Sequence, residues 1–307
     1  MRRNDFLGHI GWTGAGIAWA LGANGLLTSP AGAETPPTGD HPWFVQISDS
    51  HIGFKKAANP DVSGTLEKAV ADINALAVKP TFVVHTGDVT HLATTAQFDT
   101  AKQILGQLKA PLLTIPGEHD TIGTEGTRRY FDAFGNHNER QGIKSTKDGW
   151  YSFDQGGVHF VALVNVFDFE KMGLLGSKQL AWLSTDLKSQ KNDTPLVVFG
   201  HVPLYALYPR YGWTTEDGAK ALAMMSRFDN VTVLNGHIHQ IIQHTEGNIR
   251  FATAAPTAYP LPAPGSAAAK PVPVKVPKDH LLSVLGYRTV RLDGKREHYE
   301  DHSLAHG

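Results

Sequence analysis

The stretch WFVQISDSH, residues 43–51, reads as a buried strand that stops abruptly at an aspartate and a histidine. Trp43 to Ser48 has the apolar and β-branched content of a strand with little exposed face. Asp49 and His51 then fall where its carboxyl end must lie. The same pattern returns along the chain. Thr81 to His85 runs into Gly87-Asp88, and Pro111 to Ile115 into Gly117-Glu118-His119-Asp120. Pro195 to Phe199 runs into Gly200-His201, and Val231 to Leu234 into Gly236-His237-Ile238-His239. Sites in α/β proteins form at the carboxyl edge of the strands. Five neighbouring strands would therefore carry these groups to one point. In all but the first, a glycine stands just before the ligand-type residue, so backbone and ligand can approach closely.

Helical periodicity predicts helices over Thr65 to Val78, with Leu66, Val70, Ile73 and Ala77 on one face, and over Thr94 to Leu108. A third runs from a Ser177 cap to about Ser189 with Leu180, Leu183 and Leu187 inward, and a fourth over Asp217 to Phe228. Residues 121–149 are polar and read as a long loop or lid. Trp150 to Phe153 and Val158 to Val164 read as a hairpin around Gln155-Gly156-Gly157. Ile241 to His244, Ile249 to Ala254, Tyr287 to Leu292 and Glu297 to Tyr299 read as further β segments. Residues 256–277, rich in Pro and Ala, read as surface wrapping without regular structure. Strand–helix alternation followed by hairpins predicts an α/β fold of mixed sheets with helices outside. A single domain is expected over 34–307.

The 307 residues carry a formal net charge of -1, which gives no sign of the basic excess of a duplex-binding protein. A stable nucleic-acid partner is not expected. The chain has no cysteine, so thiolate metal sites and cysteine nucleophiles are excluded. Any metal must be held by oxygen and imidazole, which points to Mn, Fe or Zn. Residues 1–33 read as an export signal. Arg2-Arg3 precede a stretch from Phe6 to Ala33 without Asp, Glu, Lys or Arg, and that stretch ends in Ala31-Gly32-Ala33. The paired arginines and glycine-rich middle look like a twin-arginine signal, which would carry an already folded protein. A retained anchor is the competing reading, but its glycines, His9 and Asn24 make a poor membrane span. The expectation is a bacterial protein that meets the export machinery transiently. It would end in the periplasm or outside, with no membrane contact after signal removal.

Taken singly, these tips are weak signals: Asp-x-His is common, and Gly-Asp after a strand is more often a turn or cap. Gly-His-x-His is stronger, because imidazoles two residues apart in extended backbone point the same way. Together and in this order, they resemble the calcineurin-like metallophosphoesterases over about Trp43 to Ala254. The resemblance implies a four-layer αββα sandwich, two mixed sheets flanked by helices, with two metals at the strand edge. It implies that Asp49, His51 and His239 hold one metal and that residue 118, His201 and His237 hold the other. Asp88 would bridge them. Two cations so placed would clamp a small phosphomonoester or phosphodiester, and a bridging water that loses its proton would attack phosphorus. His119 would stabilise the phosphoryl group or protonate the leaving oxygen, and Asp120 would hold its tautomer.

One residue departs from the family pattern. The third block normally reads Gly-Asn-His-Asp, and here it is Gly117-Glu118-His119-Asp120. Glu118 adds a negative charge to the cage. It leaves open a modified two-metal site, a preference for a trivalent ion, or a mononuclear site. It also leaves open a non-catalytic metal or phosphate binder; a nuclease is a third alternative. Around the tips, His91 reads equally as a neighbour of the site or a surface group, and His85 as a satisfied core histidine. Asn165 is a candidate for substrate contact. Tyr205, Tyr208, Tyr211 and Trp213 read as packing under a loop or as a stacking rim. Arg128, Arg129 and Arg210 read as contacts to a distal phosphate or, more simply, as solvated surface.

Overall fold

The computed structural model describes residues 18–19, 43–135, 143, 145–166, 173–266, 271–293 and 296–306. Apart from the two-residue strand β1 (Ala18–Trp19), the expected export signal and the lead-in 34–42 lie outside the described residues. So do 136–142 and 144 of the expected lid and 267–270 of the Pro-rich segment.

Two sheets face each other. The first has strand order β12–β11–β2–β3–β4, where β2 is Trp43–Ile47, β3 Phe82–His85, β4 Leu112–Thr114, β11 Gly286–Asp293 and β12 Arg296–Ser303. The second runs β1–β9–β10–β8–β7–β6–β5, with β5 Tyr151–Gln155, β6 Val158–Ala162, β7 Leu196–Gly200, β8 Val231–Asn235, β9 Ile242–Glu246 and β10 Ile249–Thr253. Both are mixed. The β2–β3–β4 and β6–β7–β8–β10 runs are parallel, while the β1–β9, β9–β10, β5–β6, β2–β11 and β11–β12 pairs are antiparallel.

Side-chain alternation sorts the layers. In β2, Phe44 and Gln46 face the second sheet, and Val45 and Ile47 face helices. Phe44, Phe82, Val84 and Leu113 of one sheet meet Phe160, Val197, Phe199 and Leu234 of the other. Rings there stack and cross, Phe44 lying 4.8 Å from Phe82 and edge-on to Phe160 at 5.7 Å. Outside the first sheet lie α1 (Val62–Ala75) and α2 (Thr95–Leu105), inserting Leu66, Val70, Ile73 and Phe98. Outside the second lie α4 (Gly176–Lys188) and α5 (Gly218–Met225), inserting Leu180, Leu183, Leu187, Ala221 and Met225. The result is the expected helix–sheet–sheet–helix sandwich.

Several boundaries differ from the sequence reading, each for a local reason. α1 starts at Val62 because the Asp61 carboxylate caps it, accepting from the Gly64 N–H at 2.9 Å. It ends at Ala75, so Ala77 is exposed and outside it. Ser177 does not cap α4. The two oxygens of Asp217, far away in sequence, accept from the Leu175 and Gly176 N–H groups at 2.9 Å each. The stretch expected as a loop or lid begins with a helix, α3 (Gly123–Tyr130), and a further turn over Phe131–Gly135. Its outer face is ion-paired through Glu125, Arg128 and Asp132, which gives the polar look, while Tyr130, Ala133 and Phe134 are buried. The Pro-rich segment is irregular, but Thr257, Ala258 and Tyr259 are interior rather than surface.

Candidate metal centre

Five strand ends converge, and the loops after them are tied together beyond the sheets. The Asp49 N–H donates to the Gly87 carbonyl at 3.0 Å, His51 N–H to Asp88 at 2.9 Å and Gly236 N–H to His201 at 3.1 Å. Gln46, buried between the sheets, donates to Thr86 Oγ1 and to the Asn235 carbonyl, both at 3.1 Å, so the two halves of the cage are joined from beneath.

The backbone is strained where the predicted ligands sit. Non-glycine residues with positive φ are Asp49 (54°), His51 (41°), Asp88 (54°), Ala93 (50°), His237 (68°) and His239 (55°). All but Ala93 are predicted ligands. Such conformations persist only where surroundings over-determine them, and they cluster at functional sites. Two of the preceding glycines are needed for contact. A β-carbon on Gly117 would lie 2.1 Å from Asp88 Oδ1, and one on Gly87 2.4 Å from His201 Nδ1.

The side chains form two groups with Asp88 of the first facing the second. Asp49, His51, Asp88 and His239 offer ligand atoms all within 4.8 Å of one another, and Glu118, His201 and His237 do the same. Asp88 Oδ2 lies 3.4 Å from His51 Nε2 in one group and 3.5 Å from His201 Nε2 in the other. Within the groups, His51 Nε2 and His239 Nε2 face each other at 3.0 Å, and Asp49 Oδ1 is 3.4 Å from His239 Nε2. Glu118 reaches His201 Nε2 at 2.9 Å and His237 Nδ1 at 2.8 Å.

Backbone carbonyls choose the tautomers. His239 Nδ1–H donates to the Tyr259 carbonyl at 2.5 Å, and His201 Nδ1–H to that of Thr86 at 2.7 Å. Both rings then present a bare Nε2 to the cage, the usual support for a ligating imidazole. Asp49 is oriented by the His237 N–H, which donates to Oδ1 at 3.0 Å.

The electrostatics call for added positive charge. Asp49, Asp88 and Glu118 are buried together, and among the described residues their ion pairs are with histidines, not Lys or Arg. Burial pushes the Asp49 carboxyl up, but His239 and His201 outweigh it and hold it at about 2. Burial pulls His201 down, yet Asp88 and Glu118 raise it well above the usual imidazole range. His237 Nε2 is also buried without a hydrogen-bond partner. Three carboxylates, four imidazoles, bare inward-facing atoms and a strained frame fit a binuclear cation site.

His119 stands beside the cage. Its N–H donates to Asp88 Oδ1 at 2.9 Å and its Nδ1–H to the His91 carbonyl at 2.7 Å. Its ring stacks on His91, centroids 5.0 Å apart. Burial lowers the His119 pKa, but Asp88 and Glu118 outweigh it and leave it raised. The expected tautomer role of Asp120 is corrected. Its oxygens accept from the N–H groups of Val89, Thr90 and Gly117 and from Thr90 Oγ1, at 2.8–3.0 Å, so it braces the Asp88 and Glu118 loops. The His91 carbonyl holds the His119 tautomer instead. Burial and the Asp88 charge push the Asp120 carboxyl up to about 7.

The remaining candidates separate cleanly. His85 is a satisfied core residue. Gly87 N–H donates to its Nδ1 at 3.2 Å, Ser50 Oγ lies 2.8 Å from Nε2, and burial pulls its pKa down to about 3. His91 is half-buried against His51 and His119 and belongs to the site. Asn165 does not face a cleft. Its amide donates to the Val202 carbonyl and Thr215 Oγ1 at 2.9 Å, pinning the loop after His201. Tyr211 and Trp213 are buried and edge-on at 5.1 Å, and Tyr205 packs on His244 and Phe251, so these rings are packing. Arg128 and Arg129 pair with Glu125. Sequence reading missed Tyr259. Its ring lies on His51 (4.9 Å) and His239 (4.7 Å), and only its place after a buried Ala-Pro-Thr-Ala run in an irregular segment hinted at it.

Residues 42–241 match the model of the calcineurin-like phosphoesterases. A glycerophosphodiester phosphodiesterase, GpdQ, of Enterobacter lignolyticus is 28% identical over 227 residues, which cover 71% of this chain and 78% of that protein. The mouse serine/threonine-protein phosphatase CPPED1 is 30% identical over 240 residues, covering 69% and 74%. Among solved structures, a dimetal phosphatase from Danio rerio superposes with a TM-score of 0.62 at 14% identity, covering 85% of this chain and 96% of that one. A purple acid phosphatase from yellow lupin gives 0.59 at 14% identity, covering 88% and 52%. At that identity the two structures speak for the fold alone.

Proposed function

The chain belongs to the calcineurin-like phosphoesterases, and from that premise we propose that it hydrolyses a small phosphomonoester or phosphodiester at a two-cation centre in an exported protein. The observation that carries this reading is Asp88 Oδ2, within 3.5 Å of one imidazole from each ligand group. Asp49, His51 and His239 would hold one cation, Glu118, His201 and His237 the other, and Asp88 would stand between them. Oxygen and imidazole donors suit Mn, Fe or Zn. When bound, such ions supply Lewis acidity toward phosphoryl oxygens and a nucleophile available near neutral pH.

The rest is work for the chain itself. The carbonyls of Thr86 and Tyr259 keep Nε2 of His201 and His239 aimed inward. The His91 carbonyl fixes the His119 ring beside the cage, where it would serve as the acid that protonates the leaving oxygen. Relatives named as a phosphodiesterase and a phosphatase support hydrolysis without choosing between ester types. Export is supported by the sequence of residues 1–33. Among the described residues no helix is long and apolar enough to cross a membrane.

The test is to load the purified protein with Mn, Fe or Zn, measure metal content, and assay aryl mono- and diesters, nucleotides and DNA. Two bound cations with turnover on a small ester are expected. A loaded protein that turns over no ester would make it a cation or phosphate binder. Export is tested separately: an exported product should begin at Glu34, and replacing Arg2 and Arg3 by lysine should leave the precursor inside.

A further inference from the structure

We propose that the Glu118 carboxylate restricts the centre to phosphodiester monoanions, so that the reaction stops at the monoester. This rests on the hydrolytic reading above and names its substrate class.

The argument is a charge count in a buried place. Asp49, Asp88 and Glu118 bring three negative charges, at relative exposures of 0, 1 and 5%. No Lys or Arg among the described residues pairs with any of them. Glu118 does not swing out toward solvent. It spans His201 Nε2 and His237 Nδ1, so its charge lies inside one ligand group. Two divalent cations would leave the assembled centre with one net positive charge, once the ions' own charge is counted. A diester monoanion neutralises that charge. A monoester dianion leaves an excess negative charge where burial makes it costly, and among the described residues no Lys or Arg pairs with the cage to offset it.

The step balances with water as the second reactant. A water oxygen forms a bond to phosphorus, and one P–O ester bond breaks with its electron pair leaving on the alkoxide oxygen. One water proton passes to solvent as attack proceeds, and the leaving oxygen takes a proton from His119, which is later re-protonated. The products are an alcohol and a monoester. The monoester then loses its remaining acidic proton, becomes a dianion and is expelled. Release of inorganic phosphate from it must therefore fall to a separate phosphomonoesterase reaction.

The test uses the full chain loaded with Mn and bis(4-nitrophenyl) phosphate as probe. One equivalent of nitrophenol should be released while 4-nitrophenyl phosphate accumulates in the ³¹P spectrum. Glu118→Gln, checked for unchanged metal content, should move the diester-to-monoester ratio of kcat/KM toward the monoester by about tenfold or more, the least expected from removing one nearby charge. A readout without turnover goes with it: calorimetry should show inorganic phosphate at mildly alkaline pH binding Glu118→Gln about tenfold tighter, with dimethyl phosphate changing far less. Release of a second nitrophenol at a comparable rate by the parent overturns the inference. So does an unchanged phosphate affinity in a fully loaded Glu118→Gln. If Glu118→Gln loses its cations, the parent's product stoichiometry decides. If the loaded parent cleaves neither ester, the hydrolytic reading fails, and the inference about its substrate class fails with it.

Discussion

The molecule buries histidine among carboxylates in two places, at opposite edges of the second sheet. At the carboxyl ends of the strands, ligand-type residues sit on strained backbone, and His237 keeps a buried Nε2 without a hydrogen-bond partner. At the other edge, where His159 lies opposite Leu196 at the start of β7, everything is matched. His159 Nδ1 is 2.6 Å from Asp154, Nε2 is 2.8 Å from Asp186, and Ser152 Oγ donates to the second Asp186 oxygen at 2.6 Å. None of these residues has positive φ; they lie on regular strands and a helix. Composition alone would not tell the two clusters apart. Satisfaction and strain do. A closed network on relaxed backbone holds the fold, whereas an open one on strained backbone is built to receive a ligand.

If that contrast is right, substitutions at the open cluster should damage function and spare the fold. The largest effect is expected from Asp88→Ala, because Asp88 Oδ2 lies within 3.5 Å of an imidazole from each ligand group. Metal analysis should show loss of at least one cation, with kcat/KM down by about a thousandfold or more, the scale of losing metal-assisted catalysis. An Asp88→Ala protein with parental metal content and turnover would end the two-cation reading. Next comes His119→Ala, which should lower kcat by about 10²–10⁴-fold, the usual worth of a general acid. Its metal content should match the parent, since His119 lies beside the cage.

The tips of the strands were legible because each joins two signals in one short window: an apolar run that needs burial, and a ligand-type residue where burial ends. The layer order followed from the same alternation. What was not legible came from distant partners or local geometry. Asp217 caps a helix that begins 41 residues earlier, and no window around Ser177 contains that information. The helix over Gly123–Tyr130 hides its apolar side in Tyr130, Ala133 and Phe134, near its end and beyond it, after a run of ion-paired polar residues. Asp120 is adjacent to His119 in sequence, yet its carboxylate turns to the backbone of Val89 and Thr90. Proximity along the chain suggested a partner that the three-dimensional turn did not provide.

Asn165 tests the boundary between the two kinds of region, because it is a fully satisfied residue that acts on the open cluster. It bonds both the N–H and the carbonyl of Val202, next to His201, and Thr215 Oγ1. Asn165→Ala leaves the buried Val202 N–H without its partner and the Val202 carbonyl with only the longer contacts to Asn235 and Thr215, so thermal or urea denaturation should show a loss of about 2 kcal/mol. Turnover should drop by about tenfold through misplacement of His201, the lower end of what the loss of a supporting partner costs a metal site. Unchanged turnover in a destabilised Asn165→Ala would mean that the His201 loop is held by its other contacts.

The smallest effect is expected at the closed cluster, and its signature is pH rather than rate. Burial lowers the His159 pKa, but Asp186 and Asp154 outweigh it and raise it above its ordinary 6.5. The folded chain therefore holds this proton more tightly than the unfolded chain. That contribution to stability is complete below about 6.5 and disappears as pH rises through the folded value, by proton linkage. Thermal melts from mildly acidic to alkaline pH should show Tm falling across that window. His159→Phe should lower stability by about 2 kcal/mol on the acidic side, where the imidazolium is paired, and by less on the alkaline side. Subtracting the two profiles isolates the histidine from other titrating groups. Ester turnover should be unaffected, since the opposite edge of the sheet carries the reaction. A difference profile that is flat with pH would show that His159 stays neutral between its two aspartates.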